Sequence, residues 1–138
     1  MESLEYDRKQ TRRNADRLLR GYRQTARMAG DEFVPKLTAT LTLEPVSHTG
    51  TRGAPIESHV SRKVDALAYL RDVTRAMNQL DTQQRELLWY RYCDTQAMTD
   101  IQIYMGITLC SERQYYRLLE RALLAFAESY QHGRLIAE

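Results

Sequence analysis

The chain has 138 residues, 28% of them charged and 43% hydrophobic, with a formal net charge of +2. That length suits one domain plus an appendage, and the composition is that of an ordinary soluble protein. No apolar run approaches the roughly 20 residues of a membrane span, the polar start MESLEYDRKQ is unlike a secretory leader, and Cys93 and Cys110 lack CxxC spacing.

Residues 3–29 carry helical periodicity. Ala15, Leu18, Leu19, Tyr22, Ala26 and Ala29 form one stripe, and Arg13, Arg17, Arg20 and Arg27 another. The basic residues from Arg8 to Arg27 are Arg8, Lys9, Arg12, Arg13, Arg17, Arg20, Arg23 and Arg27, with Asp16 as the single acid among them. Local asymmetry of this kind points to an anionic partner. The apolar stripe is narrow, so the helix needs a covering surface, either the rest of the chain or a second copy. Gly30 and Asp31 form a C-terminal stop.

Residues 31–59 break the pattern with Pro35, Pro45, Pro55, Gly50 and Gly53. LTATLTLEP alternates leucine and threonine, which suits an extended segment or short strand, and SHTGTRGAP reads as a mobile stretch. With no evident pairing partner, the whole stretch is expected to be an extended linker that packs loosely or swaps between subunits.

Helix returns near Ile56 or Val60. Val60, Val64, Leu67 and Ala68 begin a stripe that Leu70, Val73, Met77 and Leu80 continue. Asp81 and Gln84 make a capping-box pair for the next helix, which buries Leu87, Leu88 and Tyr92. A short helix follows over DIQIYMGI, capped by Thr99 or Asp100. The last helix runs from Ser111 to about Gln131, with Tyr115, Leu118, Leu119, Ala122, Leu123, Phe126 and Ala127 inward and Gly133 as its stop. The expected fold is therefore all-α: a basic N-terminal helix (1–30), an extended linker (31–59) and a C-terminal helical bundle (60–138).

Helix, turn, short helix, tight turn and capped longer helix is the order of a helix-turn-helix, placed at about 99–131. In such a unit the start of the second helix enters the major groove. With Ser111 as cap, Tyr115 faces the scaffold, while Glu112, Arg113, Tyr116 and Arg117 face outward, flanked by Gln114 and Arg121. Arginine there can read guanine and glutamine adenine, and the amides near Ser111 can bind a phosphate. Of the adjacent tyrosines, Tyr115 is the core residue and Tyr116 the groove-facing one. Arg12, Arg13, Arg17 and Arg20 are the candidate phosphate contacts of the N-terminal helix.

Two stretches resemble known sequences. LDTQQRELLWYRY (80–92) resembles the L-x-x-x-x-R-E-x-L-x-x-R-Y helix of sigma-factor region-four domains, and SERQYYRLLERALL resembles the recognition helix of that fold, ending in Ala122-Leu123. A wider resemblance covers nearly the whole chain. The basic T-x-x-N-x-x-x-L-L-x-x-Y-R run (11–23), the Pro/Thr linker, Ile56-Glu57, LLWYRY, DIQIY, SERQYYR and ALLAFAESY are similar to the ArpU-type phage transcriptional regulators. That resemblance implies a DNA-binding activator of late genes (packaging, morphogenesis, lysis) in phages and prophages of Gram-positive bacteria. The family's turn usually carries glycine or a similar residue two positions before the capping serine; Leu109 stands there instead.

No GxSxG, phosphate-cradling glycine loop or HExxH occurs, and Glu86 and Glu120 are isolated helical carboxylates. His48, His59 and His132 are scattered and make no metal pattern with the cysteines. The expectation is a non-enzyme without cofactor or metal, in the reducing cytoplasm of a bacterial host and associated with its nucleoid. Its expected partner is double-stranded DNA at a promoter or operator, with host RNA polymerase and a second copy of the chain as further candidates. Two alternatives stay open: a DNA-docking subunit like a phage small terminase, and a polymerase-binding module without base readout.

Overall fold

The computed structural model describes residues 5–30, 33–45 and 57–138. Helix α1 (Arg8–Arg20) starts at Asp7, whose side chain accepts the Gln10 amide at 3.0 Å. The expected single N-terminal helix is interrupted at Gly21, and α2 (Tyr22–Ala29) follows. The Tyr69 hydroxyl donates to the Leu18 carbonyl at 2.7 Å and so satisfies one carbonyl at the end of α1.

The apolar stripe lies where the periodicity puts it. Ala15, Leu19, Tyr22 and Ala29 are buried, with Leu18 and Ala26 partly so. Its cover is the same chain: α1 packs on α6 (Glu112–Ser129), and α2 on α3 (Glu57–Met77). The C-terminal tail clasps this helix. Asp7 N–H donates to the Ala137 carbonyl at 2.8 Å, Ala137 N–H to Thr11 Oγ1 at 2.9 Å, and Asn14 Nδ2 to the Leu135 carbonyl at 2.9 Å.

The all-α expectation needs one correction. Within the stretch read as an extended linker, β1 (Phe33–Leu37) pairs antiparallel with β2 (Leu41–Pro45), Leu37 opposite Leu41. A two-stranded hairpin is marginal alone. This one is held by Asn78 at the end of α3, whose side chain accepts from Leu41 N–H at 2.8 Å and donates to the Leu41 carbonyl at 2.7 Å. Leu41 is buried and Leu43 partly buried, so the leucines of the alternating run share the inward face. His48, Gly50, Gly53 and Pro55 lie outside the described residues.

In α3 the buried set is Ala66, Leu70, Val73, Ala76 and Met77. Val64 and Ala68, expected on that stripe, are exposed. The phase is set by Ala66, a small residue that weakly marks a face in sequence. Helix α4 (Thr82–Leu88) carries the expected capping box, with Gln84 N–H on Asp81 Oδ1 at 2.8 Å. It passes into a π-helical turn, Trp89–Cys93. The wider turn suits the buried pairs Leu87-Leu88 and Tyr92-Cys93, which repeat at a spacing of five.

Arg85 on α4 is buried. Its Nε donates to the Met77 carbonyl at 3.0 Å, Nη2 to Leu80 at 2.7 Å and Asn78 at 3.4 Å, and Nη1 to Ala39 at 2.6 Å. One guanidinium thus closes the C-terminal end of α3 and fastens the hairpin loop. Helix α5 (Asp100–Gly106) and α6 complete the bundle, and Gly133 ends it at φ 86°. Leu19, Tyr22, Leu70, Met77, Leu88, Ile103, Tyr115 and Phe126 belong to one continuous core.

Candidate nucleic-acid interface

Helices α5 and α6 are each started by a capping box. Gln102 N–H donates to Thr99 Oγ1 at 3.2 Å, and Thr99 N–H to Gln102 Oε1 at 2.9 Å. Gln114 N–H donates to Ser111 Oγ at 3.1 Å, and Ser111 N–H to Gln114 Oε1 at 3.2 Å. The connecting turn is closed by Thr108 N–H on the Ile103 carbonyl at 3.0 Å and Cys110 N–H on Tyr104 at 3.1 Å. It contains a left-handed residue, Leu109 at φ 51°. This is the position at which the family resemblance expects glycine, and the backbone conformation gives the physical reason. On α5, Ile103 is buried and Tyr104 half-buried, while Ile101 and Met105 are exposed one turn apart.

Asp100 is the node that joins α5 to α6. Its Oδ1 accepts from Arg91 of the π-helical turn and from the Tyr115 hydroxyl at 2.6 Å; its Oδ2 takes the Tyr116 hydroxyl at 3.4 Å. The two tyrosine rings meet edge to face, centroids 5.2 Å apart. The adjacent tyrosines therefore divide as the helical phase requires, Tyr115 buried and Tyr116 exposed. Burial, then the bond to Asp100, raises the Tyr115 pKa; the nearby Asp100 charge raises that of Tyr116. A second carboxylate, Asp16, accepts from Arg20 at 2.7 Å and from the Tyr92 hydroxyl at 2.6 Å. Its burial disfavours the charged form, but those two hydrogen bonds and the nearby arginine charges outweigh it and hold the carboxyl below its ordinary range.

All seven candidate residues of α6 and its cap, Ser111, Glu112, Arg113, Gln114, Tyr116, Arg117 and Arg121, are exposed. They differ in what they have left to offer. Ser111 and Gln114 are engaged in the cap, and Tyr116 leans on Asp100. Arg113, Arg117 and Arg121, spaced by four along one face, make no side-chain hydrogen bond or ion pair among the described residues. The opposite face, Tyr115, Leu119, Ala122 and Phe126, is buried.

On α1, Arg13, Arg17 and Arg20 are exposed and Arg12 is half-buried. Arg20 pairs with Asp16. Four residues of this region have roles that sequence reasoning did not assign: Arg85, Arg91, Asp16 and Asp100. A signal existed for Arg85, which lies three residues before the buried Leu88 and so shares its inward phase.

The class so defined is a small, largely helical protein that presents the capped start of one helix and a stripe of arginines to solvent. No helix among the described residues is long and apolar enough to cross a membrane. The chain is 32% identical over 133 residues to the autolysin regulatory protein ArpU of Enterococcus hirae, covering 96% of this chain and 95% of that protein. It is 31% identical over 135 residues to the protein of the same name from Streptococcus phage O1205, covering 97% and 96% respectively. The chain belongs to the ArpU family of regulatory proteins. No family model and no solved structure matches it.

Proposed function

We propose that the protein is a sequence-specific, DNA-binding transcription regulator, not an enzyme, in which α5 and α6 act as a helix-turn-helix of the sigma region-four kind. The observation that carries this reading is the stripe Arg113, Arg117 and Arg121, exposed and unengaged on the helix whose other face is buried. Guanidinium groups without protein partners are free to contact guanine edges and phosphates once the helix enters the major groove. The regulatory names of the relatives support a regulator. Their autolysin connection fits activation of phage or prophage late genes, lysis genes among them, in the cytoplasm of the bacterial host.

In this reading Arg113 and Arg117 read bases, and Arg121 and the α1 arginines lie along flanking phosphates. Gln114 holds the cap and contributes only its amide nitrogen. Footprinting across the genomic region around the gene tests the proposal. The expected result is a protected site bound more tightly than random duplex, with an affinity that falls steeply with salt. Equal affinity for that region and for random duplex at every salt concentration would sink it. Contact with host RNA polymerase is the second reading, favoured by the exposed Ile101 and Met105 on α5 and Leu109 in the turn that follows. Retained promoter activation after neutralising both Arg113 and Arg117 would favour polymerase contact without base readout.

A further inference from the structure

The end of α1 and the start of α2, the π-helical turn and the start of α5 border an open pocket of about 460 Å³. Arg20, Arg23, Arg91, Tyr92, Thr99 and Asp100 line it. The volume is many times the roughly 30 Å³ share of a water molecule, so a phosphate group has room there. Arg20 is paired with Asp16 through Nε, and Arg91 with Asp100 through Nη1. Arg23 is different. Its Nε donates to the Asp94 carbonyl at 2.7 Å and its Nη2 to the Arg91 carbonyl at 3.2 Å, and it has no carboxylate partner among the described residues. Three guanidinium groups line the pocket with one carboxylate, Asp100, while Asp16 pairs with Arg20 from outside the lining. Each guanidinium also carries five N–H donors, more than these contacts use.

The pocket is linked to α6 through Asp100. Asp100 lines it with one side of its carboxylate held by Arg91, and the other oxygen takes the hydroxyl of exposed Tyr116. An anion seated against Arg20 and Arg23 would therefore share the pocket with Asp100, the residue that takes the Tyr116 hydroxyl of α6. We infer that this cavity seats one backbone phosphate of the bound duplex, held by Arg20 and Arg23, with Arg91 fixed behind it by Asp100. The inference rests on the DNA-binding reading above and adds to it a particular phosphate site. Its consequence is register: an anchored phosphate sets how deeply and at what angle α6 lies in the groove.

The test replaces single phosphates around the footprinted site with neutral methylphosphonates, one at a time, in the full-length protein. At one flanking position the unaltered protein should lose about tenfold in affinity, as expected for a lost charge-assisted hydrogen bond. Arg20→Gln and Arg23→Gln should bind the native duplex more weakly and lose little further at that same position. Each should also lower the slope of log affinity against log salt by about 0.9. Arg20 is largely exposed, so its variant keeps the test valid if loss of the Arg23 carbonyl bonds disturbs the fold. A methylphosphonate penalty of the same size in both variants and the unaltered protein overturns the phosphate site while leaving DNA binding intact. No duplex binding at all overturns both. Inorganic phosphate is the control for a free anion: if it shifts the Arg23 Nε–H resonance while the duplex shows no coupling to either arginine, the duplex assignment is overturned.

Discussion

Arg85 on α4 and Arg117 on α6 are the same residue on packed helices of one bundle, and their surroundings give them opposite tasks. Arg85 is 6% exposed and donates to four main-chain carbonyls, those of Ala39, Met77, Asn78 and Leu80. Arg117 is exposed and donates to none among the described residues. A buried guanidinium must find acceptors for its N–H groups, and Arg85 finds them at a helix end, where carbonyls have no partner within the helix. An exposed guanidinium is hydrated and loses little by exchanging water for a nucleic-acid acceptor. Arginine content alone therefore says little about nucleic-acid binding; what counts is how many donors the fold leaves each guanidinium.

Arg85→Ala should have the largest effect. It should destabilise the protein by about 3–5 kcal/mol, because four carbonyls lose a charged donor and the hairpin loop loses its fastening. Denaturant unfolding measures it. Arg85→Lys should recover little, since a compact ammonium cannot span the same acceptors. A loss under about 1 kcal/mol would mean that the hairpin and the end of α3 hold without the guanidinium. Asp100→Asn comes next. It leaves half-buried Arg91 without its carboxylate and Tyr115 without its charged acceptor, at a cost of about 2–3 kcal/mol. Duplex affinity should fall as well, since Asp100 positions the first turn of α6; unchanged affinity would show that α6 is held by its packing alone.

Arg113→Ala and Arg117→Ala should reverse the pattern. Each should lower specific DNA affinity by about 1–3 kcal/mol and leave the melting temperature where it was. A large thermal effect would contradict the exposed, unengaged state of these side chains.

The sequence made much of the α6 end legible because its features are local. Capping boxes such as Ser111–Gln114 and Asp81–Gln84 span four residues, and the split between Tyr115 and Tyr116 follows from helical phase alone. What stayed hidden depends on distant partners. The 33–45 hairpin is held by Asn78, 37 residues from Leu41, and Arg85 reaches Ala39 across 46 positions. Neither pairing leaves a periodic trace. Asp100 could be seen as a capping candidate, but its task as acceptor for Arg91, Tyr115 and Tyr116 depends on how α5 meets α6. The N-terminal helix was readable as needing a cover; that the cover is α6 and α3 of the same chain was not, because an apolar stripe does not name its partner.

The Tyr22 hydroxyl is buried without a hydrogen-bond partner among the described residues, and burial raises its pKa. Tyr22→Phe should therefore be neutral or stabilise by about 1 kcal/mol. The sign of the pH effect follows from linkage. The folded state holds Tyr22 neutral while the unfolded chain ionises near pH 10, so stability is full below that pH and falls as pH rises beyond it. The phenylalanine variant should show a shallower alkaline decline in melting temperature. An equal decline would assign the alkaline loss to Tyr69, Tyr92 and Tyr115, whose pKa values burial also raises.

Leu109 separates stability from surface function at a single residue. A non-glycine residue in the left-handed region costs about 1–2 kcal/mol, and Leu109 sits there at φ 51°. Its side chain is 75% exposed, so little burial offsets that cost. Leu109→Gly removes the strain but loosens the unfolded chain, which takes back about 0.5–1 kcal/mol. The net expectation is a gain of about 0.5–1 kcal/mol, a rise of a few degrees in melting temperature for a chain of this size. Duplex affinity should stay the same, since the proposed base contacts are Arg113 and Arg117 and not Leu109. Transcription with polymerase present is the informative readout. Leu109, Ile101 and Met105 are all more than half exposed, and a more stable protein that binds its site fully but activates less would assign Leu109 to a polymerase contact. A lower melting temperature would instead mean that the leucine side chain packs in the turn and that its apolar contacts outweigh the strained backbone.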